Sequence, residues 1–163
     1  MADAGRARDI DDAAFGVIYG TITVMGVLAA TDSAQFDPLT TGLTLFVTVL
    51  AVALAKTYAD LASKALSSGE HHSARSIGAA WRHSRTTLIA ANGPTLAMLV
   101  GAAGAYAPAV AMGLAQACAM ALLLFYGWRI GWRISERVLP SAISALAMGA
   151  GGLALTALKH AVH

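Results

Sequence analysis

Five apolar stretches, each long enough to cross a bilayer as a helix, occupy most of the 163-residue chain. A hydrocarbon core roughly 30 Å thick requires about 20 predominantly apolar residues. Within that core each backbone N–H and C=O needs an internal partner, which favours helices. Charged residues make up only 12% of the chain, against roughly 25% in soluble domains. The sequence therefore predicts an all-α fold, a polytopic transmembrane helical bundle with about five membrane-spanning helices.

The chain is expected to form a single transmembrane domain, 1–163, with a cytoplasmic surface segment at 63–86 between the second and third spans. Short connections and the absence of a convincing internal repeat support one domain. Asp37 followed by Pro38 predicts the start of the second helix, because Asp is a favoured N-cap and Pro a favoured first helical residue. The five spans are expected at 14–30, 38–61, 87–103, 108–126 and 140–161.

Nearly every basic residue lies on one predicted side of these spans. Arg6 and Arg8 precede the first span, further basic residues flank the second connection, and Arg129, Arg133 and Arg137 flank the fourth. Because Lys and Arg are enriched in cytoplasmic loops, this pattern predicts a multi-pass protein of the inner (plasma) membrane. Its N-terminus is expected in the cytoplasm and its C-terminus outside. The basic residues mark membrane sides, so no nucleic-acid partner is expected.

Small residues at four-residue spacing suggest where helices approach one another closely. Gly16 and Gly20 form such a pair in the first span, and Ala145 and Gly149 form another in the fifth. Small side chains allow close backbone approach where the hydrophobic effect cannot drive association. These helix-packing residues fit contacts within one subunit or contacts between subunits of a homo-oligomer.

The sequence Asn92-Gly93-Pro94 lies within the third span. Pro94 removes a backbone donor and crowds the carbonyl of Ala90, while Asn92 brings a carboxamide into an apolar region. In a channel or transporter, a helix break of this kind can bind an ion or act as a hinge. The alternative is a proline kink whose freed carbonyls are satisfied by hydroxyl side chains or water.

Five further polar residues are candidates for a pore lining: Gln116, Thr23, Thr48, Lys56 and Asp60. Gln116 and the threonines fit either a narrow polar path or hydrogen bonds between helices. Lys56 and Asp60 are one helical turn apart and can pair. Because they lie near the cytoplasmic boundary, an interfacial ion pair and a gating role both remain open.

A basic stripe and an aromatic stripe follow the fourth span. Arg129, Arg133 and Arg137 recur at every fourth residue, and Trp128 and Trp132 lie beside them. Such residues suit lipid headgroups at the membrane surface. They predict either a general interfacial anchor or a specific site for an anionic lipid, so membrane lipids are expected partners at the cytoplasmic face.

Beyond these residues, the sequence contains few groups that could bind a metal or catalyse a reaction. His71 and His72 are weak metal candidates, because they lack a second ligand pair at a metal-binding spacing. No catalytic residues are assigned, since no span carries an embedded acid–base or nucleophilic set. We therefore expect neither an enzyme nor a bound cofactor.

Three short motifs carry a resemblance to a known group of proteins: YGTI at 19–22, AKTYA at 55–59 and GLALTALK at 152–159. With them the chain resembles small, uncharacterised bacterial polytopic integral membrane proteins. The similar proteins usually show His where Lys56 stands, and an acidic residue near a proline-containing break where Asn92 stands. The resemblance implies an integral membrane protein and no particular activity.

Two functions from different classes follow from these observations. The first is an oligomeric channel or passive pathway for an ion or small polar solute, because catalytic groups are lacking and the third helix is expected to be broken. The second is a non-conducting accessory or scaffold membrane protein that binds lipids or a partner protein. A metal-handling role through His71 and His72 is a third reading.

Overall fold

The structure, a computed structural model, describes residues 2–31, 36–68, 78, 81 and 84–162. These residues form five long helices, and no strand occurs among them, so the all-α prediction is confirmed for this part of the chain. Each expected span falls within one helix, except that Ala103 lies just beyond the third. The helices are α1 (Ala2–Ala30), α2 (Pro38–Ser68), α3 (Thr86–Ala102), α4 (Pro108–Ser135) and α5 (Val138–Val162). Most of the 63–86 surface segment lies outside the described residues.

Local chemistry explains where the helices begin and end. At the start of α2 the Thr40 N–H donates to Asp37 Oδ2 at 2.9 Å, and the Thr40 hydroxyl donates to the same oxygen at 2.6 Å. This confirms Asp37 as the N-cap. Proline is the first residue of both α2 and α4. At the end of α4, Glu136 adopts a left-handed conformation, and its N–H donates to the Trp132 carbonyl at 2.8 Å. That cap lets the chain reverse within two residues.

Successive helices run in opposite directions, and three of the five form a central group. Helices α1, α3 and α4 pack against one another, α2 packs mainly on α3, and α5 packs mainly on α4. Glycine contacts give the directions: Gly20 meets α3 near Ala90, while Gly42 of α2 meets Met98. Gly101 of α3 meets Ala111 of α4. The outer surface of α3 therefore lies between α2 and α4.

Backbones approach most closely between α4 and α5. A Cβ built on Gly131 would lie 2.5 Å from the Cα of Ser141, and one built on Gly127 would lie 2.8 Å from the Cα of Ala145. Such separations leave no room for any side chain larger than hydrogen. The Ala145 contact places one predicted packing residue at a helix interface within the subunit.

The other predicted packing residues also lie within the bundle. A Cβ on Gly20 would lie 2.6 Å from the carbonyl oxygen of Thr87, and Gly16 packs beside the same threonine on α3. Gly149 faces Leu124, whose Cδ2 would lie 2.8 Å from an added Cβ. These contacts favour the intrasubunit reading of both small-residue motifs.

The core contains many small residues beside a few large ones, and many large apolar side chains are exposed on the outer surface. Fully buried core positions include Ala53, Ala91, Ala115 and Ala119. By contrast, large apolar side chains are exposed on every helix, for example Val47 at 59%, Leu96 at 62%, Phe125 at 57% and Leu146 at 68%. A water-soluble fold rarely leaves large contiguous apolar surfaces uncovered. The outer surface therefore suits an apolar environment or contact with other apolar surfaces.

Among the residues that the structure describes, two helical segments are long and apolar enough to cross a membrane, by length and composition: Pro38–Ser63 of α2 and Pro108–Ser135 of α4. The apolar segments in the other three helices are shorter: Ala14–Ala30, Thr86–Ala102 and Val138–Ala154. Because α3 packs against both α2 and α4, a short apolar helix lies directly between the two long ones.

Candidate functional site

The outer surface of α3 carries a carboxamide among apolar side chains. We define the α3 outer face as Ile89, Asn92, Leu96 and Leu99, which recur at three- and four-residue spacing and are all exposed. Among the described residues, the Asn92 side chain has no hydrogen-bond partner. Asn92, expected to line a path or form a hinge, thus faces away from the bundle interior.

The helix is not broken at Asn92-Gly93-Pro94. Helix α3 continues through Pro94, which is buried. Gly93 faces α4, where an added Cβ would lie 3.5 Å from Cys118 Cβ. Helix α3 is helical on both sides of the proline, so the interpretation as a broken third helix is wrong. The alternative, a proline kink, stays a prediction.

The remaining neutral pore candidates do not converge on one path. The Thr23 hydroxyl donates to the Tyr19 carbonyl of its own helix at 3.0 Å. Thr48 of α2 and Gln116 of α4 are half-buried. The core that runs through the bundle is apolar, with Val24, Leu45, Val49 and Met98 among its members. The buried polar side chains that the structure describes are hydroxyls, and those of Thr21 and Thr57 donate to carbonyls of their own helices.

Lys56 and Asp60 lie together near one end of the bundle. Both are half-buried on α2, one helical turn apart. The Lys56 Nζ lies 4.8 Å from the centroid of the Phe15 ring, within the distance of a cation–π interaction. This contact joins α1 to α2 at the end of the bundle where α3 begins.

The basic and aromatic stripes of α4 occupy the same end. Arg129 and Arg133 are exposed on the last turns of α4, and Arg137 is exposed just after it. The Trp128 and Trp132 rings stack, with centroids 6.3 Å apart and an interplanar angle of 15°. The helix continues through Trp128, Arg129, Trp132 and Arg133, but it ends at Ser135. Arg137 lies beyond the left-handed Glu136, so the prediction that it continues the same helical stripe is wrong.

Two features of the structure were not singled out from the sequence. Gly127 and Gly131 form the closest helix contact, although their four-residue spacing was available as a signal. The hydroxyls of Ser84, Thr87 and Thr95 are buried without a hydrogen-bond partner among the described residues. No sequence pattern distinguishes these three from threonines that bond their own helix, such as Thr21 with the Val17 carbonyl at 2.7 Å.

A groove between α1, α4 and α5 has no polar lining side chain. Its volume is about 370 Å³, and its walls are Ile22, Leu123, Ala147, Met148, Gly151 and Gly152. Because these walls offer no side-chain donor or acceptor, the groove cannot select a polar solute. The α3 outer face differs from this groove because it carries the exposed carboxamide of Asn92.

The weak metal candidates His71 and His72 lie outside the described residues. Within the described part of the chain, no group of three or more His, Cys, Asp or Glu side chains could hold a metal ion. The one cysteine there, Cys118, is free and half-buried.

No family model matches the chain, and no curated protein or solved structure is significantly similar to it.

Proposed function

We propose that the chain is a multi-pass integral membrane protein whose five helices all cross the bilayer. The large apolar side chains on the outer surface support this, because lipid tails solvate them at no cost. The short apolar segment of α3 lies between the two helices that are long enough to span, so the same slab of lipid would surround all three. The N-terminus would lie in the cytoplasm with the basic end of the bundle.

We further propose that the protein is an oligomeric passive pathway for an ion or small polar solute, formed between subunits. The observation that carries this is the position of the Asn92 carboxamide on the outer surface of α3, while the buried polar residues that the structure describes carry only Ser and Thr hydroxyls. A polar solute crossing the membrane needs donors or acceptors along its route. In this bundle Asn92 supplies them on the outside, so the route would require a second subunit.

Flux measurements in proteoliposomes test the pathway. We expect K⁺, Na⁺, Cl⁻ or a small neutral solute to cross faster than in protein-free liposomes. The Asn92→Leu variant should lower that flux, whereas Ile89→Leu, a substitution on the same face that keeps its apolar character, should not. Wild-type liposomes that match protein-free liposomes for every tested solute would contradict the proposal.

The basic stripe favours a second function, a non-conducting scaffold that binds anionic lipids or a partner protein. Arg129, Arg133 and Arg137 are exposed beside the stacked pair of Trp128 and Trp132, as a headgroup-binding surface requires. A scaffold of this kind needs no solute path, which agrees with the apolar core. It predicts lipid-dependent stability without flux.

A further inference from the structure

We propose that a second copy of this chain covers the α3 outer face, and that the Asn92 carboxamides of the two copies hydrogen bond to each other. This inference rests on the membrane location proposed above and names the partner at that surface. It does not require that any solute crosses.

The surroundings of Asn92 show why the face needs a partner. Asn92 lies about 9 Å along the helix axis from Thr86 and about 15 Å from Ala102, with exposed Ile89 and Leu96 on either side. Lipid tails offer no donors or acceptors, so a carboxamide in contact with them loses the hydrogen bonds that water gives it. The short Asn side chain also cannot extend toward the headgroups as Lys or Arg does.

The chemistry of the carboxamide identifies a second copy as the occupant. An Asn side chain carries both N–H donors and a carbonyl acceptor, so two identical side chains related by a two-fold axis can each donate to the other. An isologous contact brings the same residue of each subunit to the axis. Ile89 and Leu96 would then pack against their counterparts around the polar pair.

Hydroxyl groups elsewhere on the surface do not make the same demand. Thr23 satisfies its hydroxyl by donating to the Tyr19 carbonyl one turn away, at 3.0 Å. A carboxamide has two N–H donors as well as an acceptor, and one backbone carbonyl cannot satisfy them all. On α5, the exposed residues Ile143, Leu146 and Leu153 are apolar, so that face offers no comparable polar contact.

Disulfide cross-linking in proteoliposomes locates the interface. In a Cys118→Ala background, Leu96→Cys places one thiol a turn from Asn92. Leu146→Cys is the matched control on α5, because Leu96 and Leu146 have similar exposures of 62% and 68%. We expect oxidation to yield covalent dimers from the Leu96→Cys protein and not from the Leu146→Cys protein. Dimers at Leu146→Cys alone, or monomers in both, would overturn the proposal.

Substitutions at Asn92 test the hydrogen bond itself. Asn92→Leu should weaken association by at least about 3- to 20-fold, the effect expected for one interhelical hydrogen bond in a membrane, since the pair contains two. Asn92→Gln keeps the carboxamide and should recover part of the association. Circular dichroism checks that each variant retains its helices. A folded Asn92→Leu protein that associates as well as wild type would overturn the pairing.

The experiments can contradict the solute pathway and the α3 interface independently of each other. Cross-linking at Leu96→Cys without solute flux would retain the interface and remove the pathway. Flux from a protein that forms no dimer at Leu96→Cys would retain a pathway and remove this interface. Co-purification of a different membrane protein on the α3 outer face, with no self-association, would likewise overturn the proposed partner.

Discussion

Single glycines set how closely the helices pack. At Gly131 the nearest atoms are backbone atoms of α5, including the Pro140 carbonyl oxygen at 3.0 Å from an added Cβ. Backbone atoms of a neighbouring helix cannot move away to make room for a new methyl group, whereas the end of a long side chain can. The α4–α5 contact therefore depends on the absence of a side chain at this position.

Replacing Gly131 with alanine should destabilise the protein. Overpacking of this kind costs about 1–3 kcal/mol, because α5 must shift to admit the methyl group. The control is Gly113→Ala in the same helix, where an added Cβ would meet nothing within 4 Å. That change should leave stability unchanged or raise it slightly, since alanine favours helix. Unfolding in mixed micelles measures both, and equal stabilities for the two variants would contradict the packing account.

The Asp37 cap makes the start of α2 sensitive to acid. The hydrogen bonds from the Thr40 side chain and backbone lower the pKa of the Asp37 carboxyl below its ordinary value. A lowered folded-state pKa means that the cap stabilises the fold fully above the ordinary pKa of about 4. This contribution is lost as the pH falls through the folded-state pKa.

Asp37→Asn should remove this acid dependence while keeping a competent N-cap, because Asn is also favoured there. Asp37→Ala should lower stability at neutral pH as well. Thermal unfolding between about pH 3 and pH 7 distinguishes the variants. A wild-type and an Asp37→Asn protein that lose stability in parallel on acidification would show that other groups dominate this pH range.

Residue types alone could not reveal where Asn92 faces. Helical spacing groups it with Ile89, Leu96 and Leu99, but the opposite face of α3 is also made of small and apolar residues. When both faces of a helix are apolar, the hydrophobic pattern does not tell inside from outside. Ala90 and Ala91 of α3 are buried, whereas Leu96 and Leu99 are exposed. This difference in side-chain size tells inside from outside only when the neighbouring helices are in place.

At the scale of elements, helix number and most helix ends follow from the sequence. Pro38 and Pro108 mark the starts of α2 and α4, whereas α2 continues to Ser68, beyond the expected span end at 61. Continuity of α3 through Pro94 could not be predicted, because it depends on packing from α1, α2 and α4. The pairing of Gly127 with α5 was obscured by the basic and aromatic stripes, which overlap the same four-residue spacing.

The end of α4 exposes Arg129 and Arg133, and Arg137 is exposed just beyond it, so this end should respond to anionic lipid. We expect Arg129→Gln, Arg133→Gln and Arg137→Gln together to weaken anionic-lipid binding. Each basic residue near such a surface contributes about 1 kcal/mol. The measurement is the rise in Tm when anionic lipid is added to protein in neutral detergent, with zwitterionic lipid as the control. An undiminished rise in the triple variant would exclude the stripe as the lipid site.

At the scale of the whole molecule, the order of helices brings most basic residues of the described chain to one end, whereas Lys159 lies near the other end of α5. Alternating directions place Lys56, Arg85, Arg129 and Arg133 together, near the start of the apolar part of α1. The opposite end carries the connection at 103–107, which has no Lys or Arg. The all-helical architecture was predictable from composition and apolar stretch length. The central grouping of α1, α3 and α4 was not, because many packings satisfy five apolar helices equally well.

The central claim is that lipid surrounds these helices, and α4 tests it most directly. Its 28 residues span about 42 Å, enough to cross a hydrocarbon core of roughly 30 Å. In a Cys118→Ala background, Ala105→Cys and Glu136→Cys place single thiols beyond its two ends. A membrane-impermeant maleimide should label Ala105→Cys on intact cells, and Glu136→Cys only after the membrane is permeabilised. Labelling of both thiols on intact cells, or of both only after permeabilisation, would contradict the account.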